Sequence, residues 1–188
     1  MEIFAGSRRD INKGYWMSFE NHPRLEETKK HIYVRCLPCL ECLYEQLKKE
    51  PQSIKLQNPL NCWKVVVIFG KMEECVELLC LLEEEPPPAA AETCIRGRMG
   101  SSDKGSPNVV IIFQMLSETE RDAMLAHLRE LAPRVNPGYS LFFERGCGDL
   151  YGSLCGDWCG WQEETPVING QLIPFIREKV NRLLRGEY

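Results

Sequence analysis

The sequence has no apolar run near the ~18 residues that a membrane-crossing helix needs. Its opening, MEIFAGSRRDINKGYW, has no apolar stretch suited to a secretion signal. Without such a signal a reducing compartment is expected, and disulfides are disfavoured there. An excess of one charge is also missing. Lys and Arg number 23 against 27 Asp and Glu, a net charge of −4, so bulk charge gives no reason to expect nucleic-acid or membrane binding. Histidine is scarce, at three residues. His127 falls at a polar position of an apparent helix, His31 begins an apolar run and His22 precedes Pro23. No Ser/His/Asp arrangement, phosphate-cradling glycine loop or paired-carboxylate motif is present, and Gly97-Arg-Met-Gly100 is too short for a phosphate loop. No internal repeat appears.

Cysteine, in contrast, is plentiful: there are ten in 188 residues. Six fall in two groups, Cys36, Cys39 and Cys42, then Cys147, Cys155 and Cys159. Cys62, Cys75, Cys80 and Cys94 read as small apolar side chains of a core.

The length suits one domain, and a hydrophobic content of 44% supports a core. Residues 1–30 are polar and mixed and read as an irregular arm, followed by one α/β domain over 31–188. His31–Arg35 reads as a short strand. Beyond Pro38, Leu40, Leu43, Tyr44 and Leu47 recur at helical spacing. Residues 51–61 read as a loop. Trp63–Phe69 (WKVVVIF) is a continuous apolar run of the buried-strand type. Met72, Cys75, Val76, Leu79 and Leu82 mark a helix ending at the Glu83-Glu84-Glu85-Pro86 stretch. Residues 86–107, rich in Pro, Ala, Gly and Ser, read as a flexible insertion.

Asn108–Phe113 predicts a second buried strand. Ser117 and Glu120 form a capping box for a helix that Pro133 would stop. Tyr139–Phe143 predicts a third strand, residues 146–161 a Gly/Cys/Trp loop, and Leu172–Arg185 a closing helix with Pro174 in its first turn. Alternating strands and helices predict an α/β fold: a small mixed sheet, packed helices and a cysteine-zinc clamp.

That clamp follows from thiol spacing. Thiolates at x₂ spacing, Cys36 and Cys39, can share a tetrahedral zinc ion. Cys155 and Cys159, at x₃ spacing on a turn containing Gly156, can complete it. Two other readings stand beside this one. The thiols can be buried core side chains of a structural domain. Alternatively, Cys36 and Cys39 can form the redox pair of a small α/β thiol oxidoreductase, which requires a thiolate stabilised at a helix N-terminus.

On the closing helix, Leu172, Ile176, Val180, Leu183 and Leu184 share one face, while Arg177, Lys179, Arg182 and Arg185 occupy the other. This basic face suits docking on the sheet with a solvated outer side, or binding of an acidic partner.

Several blocks together carry a resemblance. His22-Pro23-Arg24-Leu25-Glu26 precedes Tyr33-Val34-Arg35-Cys36-Leu37-Pro38-Cys39, and Gly138-Tyr139-Ser140 is followed by Gly146, Gly148, Leu154-Cys155 and Cys159. In order and spacing they resemble the 34-kilodalton protein family of adenovirus early region four, which carries an arginine-faced helix at the place of the basic helix here. The matches lie in scattered blocks outside residues 45–135. The resemblance implies a non-catalytic viral early adaptor of the host nucleus and cytoplasm. Such an adaptor joins a larger viral early protein, recruits a host cullin–elongin ubiquitin ligase, and favours late viral mRNA export. The elongin-binding box of such adaptors has a small residue, then leucine, with cysteine four positions on. Val76 to Cys80 has the spacing without the leucine.

Overall fold

The computed structural model describes residues 1–9, 15–21, 25–87, 95–101 and 107–186. The chain divides into two compact units. The first is Met1–Lys29 with Trp63–Glu144, and the second is Lys30–Cys62 with Arg145–Tyr188. Among the described residues no helix is long and apolar enough to cross a membrane.

The first unit is built on a six-stranded sheet. Its strands are β1 (Phe4–Arg9), β2 (Tyr15–Glu20), β4 (Trp63–Phe69), β5 (Arg96–Ser101), β6 (Val109–Met115) and β7 (Ser140–Arg145); β3 (Ser53–Lys55) lies in the other unit. They lie in the order β1-β2-β5-β6-β4-β7, and β6 is antiparallel to both β4 and β5. Helix α2 (Met72–Glu84) links β4 to β5, and α3 (Glu118–Val135) links β6 to β7. Each helix therefore carries the chain past one intervening strand, the split βαβ topology of ferredoxin-like folds. The antiparallel β1–β2 hairpin lengthens the sheet beyond β5.

The strand sequences explain which face is covered. Trp63, Val65, Val67 and Phe69 stand opposite Met115, Phe113, Ile111 and Val109. Of these eight, all but Val109 are buried. The Arg121 guanidinium of α3 lies 4.1 Å from the Trp63 ring and 4.6 Å from the Phe143 ring, so α3 covers this face. Leu78, Leu82 and Leu128 supply fully buried side chains from the two helices. Gly97 is required where β5 passes the core. A Cβ there would stand 1.9 Å from the Ile112 carbonyl oxygen and 2.7 Å from Phe19 Cζ. Phe19 uses that space to set its ring edge against Phe113, with centroids 5.3 Å apart.

The helix starts follow capping chemistry. The Ser117 hydroxyl accepts from the Glu120 N–H at 3.1 Å, as the capping box predicts, and the Glu120 carboxylate accepts from the Leu116 N–H at 2.8 Å. At α2 the Glu74 carboxylate accepts from the Gly70 and Lys71 N–H groups, both at 2.9 Å. Pro133 does not stop α3, which runs to Val135. Proline in the last turn removes one intrahelical bond, and the Asn136 N–H still closes on the Ala132 carbonyl.

The second unit has its own core. It contains most of α1 (Leu25–Leu47), the short antiparallel pair β3 (Ser53–Lys55) and β8 (Glu164–Pro166), α4 (Gly148–Cys155) and α5 (Ile173–Leu184). Leu40, Leu43 and Leu47 of α1 meet Ile54 and Leu56. The same cluster takes in Leu150, Tyr151 and Leu154 of α4, Trp161, and Ile173, Ile176 and Val180 of α5.

Several expectations are corrected here. The sheet is larger than predicted and its registered pairs are antiparallel. The polar arm contains the β1–β2 hairpin. His31–Arg35 is helical, because α1 continues through Pro38 and is anchored by its leucines. The 86–107 insertion contains β5, and the 51–61 loop contains β3. The loop predicted over 146–161 contains α4. His22–Arg24, Cys94 and the rest of the insertion at 88–94 and 102–106 lie outside the described residues, as do the side chains of 25–35.

Candidate functional site

The cysteines of the second unit do not sort by sequence spacing. Cys36 lies four residues before Leu40 on α1, and Cys147 lies four residues before Tyr151 at the start of α4. Leu40 and Tyr151 share one core, and Cys147 packs against it. Cys36, Cys62 and Cys39 are the thiols that act on Cys147. Cys62 arrives from the residue before β4. Its carbonyl accepts from the Gly146 N–H at 2.8 Å. A Cβ at Gly146 would stand 2.3 Å from Cys62 Sγ, so glycine permits this approach. Cys147 itself adopts a left-handed conformation, φ 57°, uncommon for a residue with a side chain.

The electrostatics of the group favour neutral thiols. The hydrogen bond to Cys36, then burial and the neighbouring thiols, hold the Cys147 thiol well above its ordinary range. Burial also raises Cys39, against a hydrogen bond from the Asn58 side chain that works the other way. The Tyr151 phenol beside them is raised, chiefly by burial. Its ring stands edge-on to Trp161 at 5.8 Å, and Trp161 Nε1–H donates to the Gly156 carbonyl at 3.1 Å. A raised thiol is a poor nucleophile at neutral pH. That shift gives no support to a Cys36/Cys39 redox pair, which needs a stabilised thiolate.

The four predicted zinc ligands stand in different surroundings. Cys36 and Cys39 belong to the group just described. Cys155 is 8% exposed in the hydrophobic core, and burial alone pushes its thiol up to about 11. Cys159 is exposed on a short 3-10 turn, where its N–H donates to the Asp157 carboxylate at 3.0 Å. All four are described, and among the described residues no three His, Cys, Asp or Glu side chains are placed to hold a metal ion. The predicted zinc clamp is not shown, and no step is derived through one. Cys75 is buried as expected, with its thiol pushed up to about 12 by burial, whereas Cys80 is exposed rather than in the core. His127 Nε2 lies 2.6 Å from the Glu85 carbonyl, beside an Arg134–Glu85 pair with both contacts at 2.8 Å.

The second candidate surface is α5. Ile173, Ile176 and Val180 are locked into the core, so their side of the helix is consumed by packing. Lys179, Arg182 and Arg185 are exposed on the other side, and Arg177 is half-buried. Phe175 is 67% exposed on the same helix, and Ile168, at 64%, lies shortly before it in sequence. Spacing alone had pointed to neither. The signal available for Phe175 was its place one residue away from the apolar stripe, toward Lys179 and Arg182.

Comparison with protein-family models, with characterised proteins and with solved structures finds no match to this chain.

Proposed function

We propose that this chain is a non-catalytic viral early adaptor that binds host and viral proteins, in the manner of the adenovirus early-region-four 34-kilodalton family. The observation that carries the reading is the ordered set of sequence blocks, from the His22-Pro23 segment through Cys36-Leu37-Pro38-Cys39 to Leu154-Cys155 and the basic helix. The geometry of α5 supports it. The apolar side of this helix holds the fold together, while Lys179, Arg182, Arg185 and Phe175 are presented outward. Three cations beside an exposed ring suit an acidic partner segment with a bulky apolar side chain. The adaptor role in the host nucleus and cytoplasm, cullin-type ubiquitin-ligase recruitment and late mRNA export belong to this proposal. Within it, Val76 and Cys80 are both exposed on α2, at the spacing an elongin contact uses.

Affinity capture from adenovirus-infected cells tests the reading. Tagged wild-type chain is expected to return a viral early protein together with cullin and elongin subunits. The Lys179→Glu/Arg182→Glu variant should fold normally and lose the viral partner. Recovery of neither class by wild-type chain overturns the proposal.

A further inference from the structure

The two-stranded sheet of the second unit has two outer edges, and they are not alike. The Val167 N–H donates to the Gln52 carbonyl and the Leu56 N–H to the Glu163 carbonyl, both at 2.8 Å. Backbone groups alternate in direction along a strand, so Gln52, Ile54 and Leu56 face β8, while Ser53 and Lys55 face away from it. The same alternation turns Glu164 and Pro166 of β8 outward. Pro166 has no N–H, so that edge is poor in donors for a further strand. The outer edge of β3 keeps its donors. At Lys55 a side chain of α1 stands where a strand would. The Gln46 Oε1 accepts from the Lys55 N–H at 2.7 Å, and the Gln46 Nε2 donates to the Lys55 carbonyl at 3.2 Å. One primary amide makes the pair of bonds that a residue of a neighbouring strand makes. Gln46, Ser53 and Lys55 also line a cavity of about 360 Å³, within the ~300–1,000 Å³ range of binding clefts. Lys49 and Lys55 are the cations of its wall, and both are exposed. The wall has one carboxylate, Glu164, and it accepts from the Ser53 hydroxyl at 2.6 Å.

We propose that the outer edge of β3 is a docking site for an extended acidic segment of a partner protein, which joins the sheet as a third strand and displaces the Gln46 amide. The incoming backbone takes over the Lys55 N–H and carbonyl from Gln46, so hydrogen bonds are exchanged rather than lost, and it gains the outward groups of Ser53 as well. Side chains alternate along an extended segment, so acidic residues at every second position fall on one side of it, toward Lys49 and Lys55. Until the segment arrives, the Gln46 amide covers an edge that would otherwise invite pairing. A second copy of this chain pairing through the same edge would set its own Lys49 and Lys55 against these two, so charge favours a partner of opposite sign. This inference is independent of the adaptor reading. It uses neither α5 nor the sequence blocks behind that reading, and its test needs no viral or host protein.

A fluorescein-labelled peptide with blocked ends, Thr-Glu-Val-Glu-Val-Glu-Thr, is titrated with the full-length chain and followed by fluorescence anisotropy. Saturable binding that weakens as salt is raised is expected. Lys49→Glu/Lys55→Glu should abolish it, and Lys179→Glu/Arg182→Glu should leave it unchanged. Gln46→Ala should shift the curve to lower protein concentration, because the edge is then open before the peptide arrives. The same peptide methylated at every internal amide nitrogen keeps its charges but cannot donate to β3, and it should not bind. That comparison uses the wild-type chain and decides the matter even if Gln46→Ala folds poorly. Absence of binding by the unmodified peptide, or equal binding by the methylated one, would overturn the proposal. So would binding that survives Lys49→Glu/Lys55→Glu or that is lost in Lys179→Glu/Arg182→Glu.

Discussion

Replacing Gly97 with alanine sets two effects of opposite sign against each other. Gly97 does not have a positive φ, so alanine can adopt its backbone conformation. Removing glycine from the unfolded chain then favours folding by about 0.4–1 kcal/mol. Against this, the new methyl would lie 1.9 Å from the Ile112 carbonyl oxygen and 2.7 Å from Phe19 Cζ. Neither neighbour can retreat cheaply. Ile112 is strand backbone paired with Arg98, and Phe19 is fully buried with its ring edge against Phe113. The strain must open the β5–β6 ladder. Overpacking of this kind costs about 1–3 kcal/mol, and each ladder hydrogen bond lost adds about 1 kcal/mol. The clash therefore wins, and Gly97→Ala should destabilise the protein by about 3 kcal/mol. Urea denaturation followed by far-ultraviolet circular dichroism reads this as a lowered midpoint. A Gly97→Ala protein as stable as wild type, or more so, would refute the close approach of β5 to β6.

Three other outcomes follow from the same contacts. Ile176→Ala, at a site 2% exposed, should cost about 2–5 kcal/mol in denaturant unfolding, whereas Phe175→Ala, at a site 67% exposed, should change stability by under about 0.5 kcal/mol; equal effects would contradict the assigned faces of α5. The Asn136 side chain beside Glu74, and the Arg134 guanidinium beside Glu85, hold both carboxyls below the ordinary value of 4.5. The unfolded chain takes up these protons first, so the stability they contribute is present above pH 4.5 and is lost as pH falls through the folded values. Acid titration of a Glu74→Gln/Glu85→Gln variant should accordingly be flatter than that of wild type, and an unchanged acid limb counts against these contacts. Iodoacetamide should label the exposed Cys42, Cys80 and Cys159 first and Cys75 only on unfolding, and early labelling of Cys75 would place it outside the core.

The parts legible in the sequence were those where local pattern and tertiary role agree. WKVVVIF and NVVIIF announce central strands because both their faces are apolar, and Ser117 with Glu120 announces a helix start because the cap is a local hydrogen-bond exchange. The stretch RGRMGS announces nothing. Its two glycines and two arginines lack strand character, yet β2 and β6 flank it and make it β5. His31-Ile-Tyr-Val has strand composition but lies in a helix, since a long helix tolerates a few β-branched residues at small cost. For the site, spacing revealed that thiols cluster along the chain but not which ones meet. Cys147 stands at the start of α4, and the glycines at 146, 148, 152 and 156 hid that helix within an apparent loop.

The central claim, that this chain is an adaptor, is tested most directly by reconstitution. An immobilised cullin–elongin ligase is incubated with the purified viral early protein, with and without this chain. The account predicts that the viral protein is retained only when the chain is present, and that Lys179→Glu/Arg182→Glu abolishes retention. Equal retention with and without the chain, or none in either case, would contradict it.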